Sequence, residues 1–143
     1  MEAVRKILER KGSIIFSITP ETSVYRALEM MVEKNVSALL VTEEDKLIGI
    51  FSEKDYARKV ILRGKSSKQT RVRDVMSGNL NTVSPKDSID HCMQLMTNKF
   101  IRHLPVISDD KLIGIISIGD VVKHIIEEQK FIIENMEHYI SGQ

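Results

Sequence analysis

Apolar residues fall in short runs separated by polar clusters, and the runs change period along the chain. IIFSI at 14–18 is rich in strand formers. Thr22 is placed to cap a helix, and Val24, Ala27, Leu28 and Met31 follow at helical spacing. VSALLV at 36–41 is another strand-forming run, TEED is a turn, and KLIGIF at 46–51 returns as the second arm of a hairpin. SEKDYARKVIL at 52–62 then reads as a helix. The predicted order is β–α–β–β–α.

The same order comes again. DKLIGI stands at 45–50 and at 110–115, and with that shift Thr19–Ile61 overlies Ser84–Ile126 without a gap, about a third of the positions being identical. In the second copy Asp87 is the expected cap, Ile89, Cys92, Met93 and Met96 form the helical stripe, and IRHLPVI and KLIGII form the hairpin. SIGDVVKHII is the closing helix. A lead-in also recurs, VRKIL from Val4 and VRDVM from Val72. A half-length unit buries too little surface to be comfortable alone. The expected fold is therefore α/β (α+β), two β-α-β-β-α repeats packed with pseudo-twofold symmetry, with residues 1–65 as repeat 1 and 66–128 as repeat 2. Pro105 lacks a donor, so it should lie at a sheet edge or where the backbone faces something else.

Residues 129–143 extend the second copy only. Val122, Ile126, Gln129, Ile133, Met136 and Ile140 alternate at four and three residues, an a/d-type stripe on one long helix, with Gly142 just past its end. The stripe is expected to pack on a second subunit in a homodimer; folding back against VRKIL is the alternative.

Composition narrows the classes. Among 143 residues, 42% are hydrophobic and 29% charged, the net charge is +1, and there is one cysteine, Cys92. These are the proportions of an ordinary globular chain; bulk charge points to neither nucleic acid nor membrane, and no internal disulfide is possible. No apolar run suffices to span a bilayer. The N-terminal MEAVRKILERKG carries acids and no apolar core, so a cytoplasmic chain is expected. Cys92 sits on a helix's apolar stripe and reads as structural; His91, His124 and His138 read as surface or helix-face residues.

The strongest local motif is a strand ending in Gly followed by Ser-x-x-Asp, GIFSEKD at 49–55 and GIISIGD at 114–120. Two readings stand side by side. Ser52 with Asp55, and Ser117 with Asp120, are capping boxes. Equally, a helix start receives phosphate, and a carboxylate one turn in accepts both hydroxyls of a ribose. The basic run from Arg58 to Arg73 is either a solvated linker or a source of phosphate partners, with Arg63, Lys68 and Thr70 the candidates. Its GKSS lacks the first glycine of a Walker A loop, and no interleaved aromatics favour nucleic acid. Asp120, His124 and Ser117 lack the spacing of a nucleophile elbow or metal site, so catalysis is not expected.

The repeated unit, the G-h-h-S-x-x-D endings and RHLPV before the second hairpin resemble a tandem cystathionine-β-synthase (CBS) domain pair, or Bateman module, over roughly Val4 to Lys130. The resemblance implies clefts between the halves that bind adenosine-containing ligands such as AMP, ADP, ATP, NAD(H) or S-adenosylmethionine. It carries the ribose to Asp120 first and Asp55 second. It carries the phosphate to Ser117, Ile118 and Ser52, the hydroxyl at the first-strand end to Ser84 and Thr19, and the base to Arg102, His103, Leu104 and Pro105. The first half has Leu40 in place of Pro105 and Ser37-Ala38 in place of Arg102-His103, so its pocket departs from the pattern. The reading is a ligand sensor, not an enzyme, with no obligatory cofactor, that signals by conformational shift to an effector protein in trans. A ligand-free dimerisation or interaction module is the alternative.

Overall fold

A computed structural model describes residues 3–12 and 14–140; Gly142 lies outside them. Among these residues the chain runs α1 (Val4–Lys11), β1 (Ser17–Ile18), α2 (Val24–Lys34), β2 (Ala38–Glu43), β3 (Lys46–Ser52), α3 (Glu53–Lys59), α4 (Ile89–Lys99), β4 (His103–Ser108), β5 (Lys111–Ser117) and α5 (Ile118–Ile140). Single 3-10 turns at Ile61–Arg63 and Val72–Asp74 lie between α3 and α4. SEKDYARKVIL is thus a shorter helix than expected, ending in one of these turns.

The two hairpins are near copies. Each turns through an acidic pair with positive φ, Glu44 and Asp45 at 52° and 63°, Asp109 and Asp110 at 51° and 62°. Two consecutive left-handed residues make the type I′ turn whose twist suits a tight hairpin, and Asp tolerates that region better than most residues. Each also carries a bulge at the same place. Val41 faces Gly49 but Thr42 faces Leu47, and Val106 faces Gly114 but Ile107 faces Leu112.

The halves differ at the first strand. In the first half β1 runs parallel to β2, pairing Ser17 with Leu40 and Ile18 with Val41, and Leu40 N–H donates to the Phe16 carbonyl at 3.3 Å. Only Ser17–Ile18 of the expected IIFSI is strand. In the second half Pro105 holds the place of Leu40 and has no N–H to donate. There the ladder shrinks to one bridge, in which Val83 N–H donates to Pro105 O and Ile107 N–H to Val83 O. The expected first strand of the second repeat is therefore a single bridged residue, and β4–β5 is a two-stranded sheet.

The helix caps also lie one residue past their expected positions. Ser23 and Ser88 accept from Arg26 N–H and His91 N–H, whereas Asp87 accepts from Ser84 N–H at 2.7 Å and Thr22 pairs with the Thr19 hydroxyl. Neighbouring residues of capping type compete for the role, and the second of each pair takes it.

Two cores form, and the lead-ins are exchanged between them. Val4 and Ile7 of α1 are buried with Ile89, Cys92, Met96, Leu104, Ile116 and Val121 of the second half. Val72 and Val75 are buried with Val24, Leu39, Val41 and Phe51 of the first half. The backbone follows the same crossing. Val4 and Arg5 N–H donate to Asp87 and Pro85 carbonyls, and Val72 and Arg73 N–H donate to Thr22 and Pro20 carbonyls. Burial drives Cys92's thiol up to about 11, with Asp87 adding to it, as expected of a packing residue.

The hairpin glycines let the lead-ins approach. A Cβ on Gly114 would meet Leu8 Cδ2 at 2.8 Å; one on Gly49 would meet Met76 Sδ at 2.6 Å and the Ser77 carbonyl at 3.1 Å. Side-chain tips yield more readily than backbone. Gly49→Ala is therefore expected to destabilise by about 1–3 kcal/mol and Gly114→Ala by less. Chemical denaturation of the two variants checks the order, and a costlier Gly114→Ala contradicts it.

Candidate functional site

Both Ser-x-x-Asp motifs form complete capping boxes. Asp55 Oδ2 accepts from Ser52 N–H at 3.0 Å while Asp55 N–H donates to Ser52 Oγ at 3.3 Å. Asp120 Oδ2 accepts from Ser117 N–H at 2.8 Å while Asp120 N–H donates to Ser117 Oγ at 3.1 Å. Asp thus serves as well as the longer acids usual at this place. The first amide of each helix is also used, Glu53 N–H by the Ser37 carbonyl and Ile118 N–H by the Arg102 carbonyl. Ser52, Ser117 and Ile118 therefore spend part of their donor capacity within the fold.

Beyond the caps the two carboxylates part company. Asp55 is buried, and its Oδ1 accepts from the Ser77 hydroxyl at 3.0 Å with Lys59 Nζ at 3.3 Å. Both its oxygens are held by the chain's own donors. Asp120 is less enclosed, its side chain 24% exposed, and among the described residues only its Oδ2 is engaged: besides Ser117 N–H, Lys11 Nζ donates to it at 2.5 Å. Lys11 also donates to the Ile115 carbonyl at 2.8 Å. Burial pushes the Asp120 carboxyl up, but Lys11 and the Ser117 backbone and hydroxyl outweigh it and hold the group below its ordinary value.

His103 and Arg102 complete this group. His103 Nε2 lies 3.2 Å from the Ser37 hydroxyl of the other half, at the seam. Burial lowers its pKa, Lys11 and Arg102 lower it further, and Asp120 opposes them. A depressed imidazole favours the fold while neutral, so its contribution is present above the unfolded pKa of about 6.5 and is lost as pH falls below it. The stability of the parent protein is accordingly expected to decline between about pH 7 and pH 5, and His103→Gln to flatten that decline. Melting temperatures across the range read it; identical slopes would remove His103 from the account.

Asp120, Ser117, Ile118, Arg102 and His103 thus converge, and Lys11, which no sequence argument singled out, stands among them. The other expected site residues do not join them by contact. Leu104 is in the core and Pro105 is buried. Ser84 and Thr19 belong to the turns before α4 and α2, the Ser84 hydroxyl accepting from Lys86 N–H. Lys68 Nζ lies 4.9 Å over the Tyr25 ring, on a linker whose Thr70 and Ser67 carbonyls take the first two amides of α2. Arg63 is exposed at the end of a 3-10 turn. Among the described residues no contact ties Arg63 or Lys68 to the Asp120 group. His124, expected at the surface or on a helix face, takes the second place: it is buried on α5, with Nδ1 3.5 Å from Arg10 and, among the described residues, no hydrogen bond to Nε2. The reason is that α1 packs on α5, where Arg10 also pairs with Glu127 at 2.6 Å.

Two grooves run along the outer face of α5. One starts at Ile118, the edge of the Asp120 group, and continues along Val122, Lys123, Ile126, Glu127 and Lys130; the other is lined by Ile132, Met136, Tyr139 and Ile140. Their floors are mainly apolar side chains.

A family model described as CBS domain matches residues 2–62 and 72–127. The solved structure of a protein with CBS domains from Burkholderia ambifaria is 47% identical with a TM-score of 0.86, covering 89% of this chain and 96% of that one. A mitochondrial CBS domain-containing protein of Arabidopsis thaliana is 43% identical over 136 residues, 92% of this chain. This chain spans 66% of that relative's length, just under two thirds. A CBS domain pair in complex with 5′-methylthioadenosine and S-adenosyl-L-methionine shares the fold, at 22% identity and a TM-score of 0.78 over 90% of this chain and 98% of that one.

Proposed function

Because the chain belongs to the CBS domain family, as a tandem pair of repeats, we propose that it is a regulatory module that binds an adenosine-containing ligand at the Asp120 site. The observation that carries this reading is the half-free carboxylate of Asp120. It lies at the seam between the halves, beside Lys11, Arg102 and His103. Asp55 offers no such acceptor, so one site per chain is proposed rather than two. The ribose hydroxyls donate to Asp120, and the base lies along Arg102 and His103, the part of the Arg102–Pro105 segment not fully buried. A ligand held there touches both halves and favours one arrangement of them, which a partner protein reads. The role is binding rather than catalysis: the Ser117 hydroxyl serves the α5 cap, and His124 faces Arg10.

Mass spectrometry of small molecules released from the purified protein is expected to find an adenosine compound. Asp120→Asn keeps an oxygen for the cap but removes the charge, and it is expected to weaken AMP binding by about 1.5–3 kcal/mol, the scale of hydrogen bonds to a charged group. Asp55→Asn is expected to leave that affinity near the parent value. Calorimetry that shows unchanged affinity for Asp120→Asn sinks the site assignment.

One observation favours a second role alongside the first. Val122, Ile126, Ile133, Met136 and Ile140, the predicted stripe, are all about half exposed or more. We read the outer part of α5 as the contact of a homodimer.

A further inference from the structure

We propose that Lys11 is a specificity-determining residue that exchanges Asp120 for the ligand's phosphate, so that the site takes anionic adenosine ligands in preference to neutral or cationic ones. The inference rests on the adenosine-site reading above and names the ligand class. It starts from a difference between the two halves. At the first Ser-x-x-Asp motif the outside donor is Ser77, whose N–H and carbonyl pair with Ile50 at 2.9 and 3.0 Å while its hydroxyl donates to Asp55. That donor is neutral and fixed by its own backbone. At the second motif the outside donor is Lys11, which reaches Asp120 and the carbonyl of Ile115, the counterpart of Ile50, through its side chain alone. Lys11 is the last residue of α1 and its side chain is 32% exposed, so the ammonium can leave Asp120 without unfolding anything.

A ribose that donates two hydroxyls to Asp120 satisfies the carboxylate but competes with Lys11 for it. The ammonium then needs another anion. The neighbouring carboxylate on α5, Glu127, is already held by Arg10, and Arg102 and His103 supply no negative charge. A phosphate on the ligand meets that need, because an ammonium-to-phosphate hydrogen bond is of the strong, charge-assisted kind. A neutral nucleoside leaves Lys11 with the Ile115 carbonyl but no counter-charge, and a sulfonium sets a second positive charge beside it.

The test is titration calorimetry with AMP and with 5′-methylthioadenosine, which keeps the adenosine and lacks the phosphate. The parent protein is expected to prefer AMP by about tenfold or more, the scale of one charge-assisted contact. Lys11→Met, similar in length and uncharged, is expected to bring the ratio close to one, with 5′-methylthioadenosine held as well as before or better. Lys11→Arg is expected to keep the preference. Thermal melts confirm that the variants are folded. An unchanged ratio in Lys11→Met, with Asp120→Asn still losing both ligands, overturns the role of Lys11 alone. Binding that survives Asp120→Asn, or no binding of either ligand to the parent protein, overturns the adenosine-site reading and this inference with it.

Discussion

Ile7→Ala is expected to cost about 2–4 kcal/mol, the range for trimming a large aliphatic side chain in a packed core. The location of the damage matters more than its size. Ile7 belongs to the first half of the chain, yet it is 3% exposed in the core of the second, with Cys92, Leu104 and Ile116. Hydrogen exchange should therefore show protection lost over β4, β5 and α4, while β2 and β3 keep theirs. Val75→Ala is the mirror experiment, since Val75 is buried in the first core. If Ile7→Ala instead loosens residues 38–52 first, the exchange of lead-ins is wrong.

Removal of residues 129–143 is expected to have the other large effect, on assembly. α5 runs 23 residues from Ile118 to Ile140, and every described residue from Gln129 onward is exposed. Twelve helical residues reach about 18 Å past the body at 1.5 Å each. A helix segment of that length is marginal in water by itself, so a partner surface is needed to hold it. Phe131, Ile132, Ile133, Met136, Tyr139 and Ile140 present that partner with apolar side chains exposed by half or more. Folding back on α1 accounts only for the start of α5, where Arg10 meets His124 and Glu127. Light scattering should find a dimer for the full chain and a monomer for the truncated one. Ile133→Glu in the full chain should also give the monomer. A soluble dimer that survives both changes would place the contact elsewhere.

Much of the architecture could be read from local pattern. The two copies of DKLIGI, the helical stripes ending in Met31 and Met96, and the acidic turns all report interactions within a few residues, and the structure realises them as paired hairpins and helices. Pro105 could be read halfway: a missing donor predicts a sheet edge or a backbone that faces something else, but only the position of Val83 shows that the neighbouring strand is reduced to one bridge. The capping residues were legible as a type and not as a position, because Thr22 and Ser23 each suit the role, as do Asp87 and Ser88.

The repeat by itself determined the family fold and the placing of a serine and an aspartate at the start of each closing helix, since these follow from short-range hydrogen bonding and hydrophobic period. The RHLPV segment beside the second motif already put Asp120 ahead of Asp55. The tertiary structure supplied the physical difference between the two carboxylates, the donor each meets from outside its own repeat. Asp55 meets Ser77, 22 residues on, fixed by backbone pairing; Asp120 meets Lys11, 109 residues back, at the tip of a side chain. Those donors arrive on lead-ins that dock crosswise, Val4 and Ile7 in the second core and Val72 and Val75 in the first. No periodicity records that choice, since it is made by packing between segments far apart in the chain.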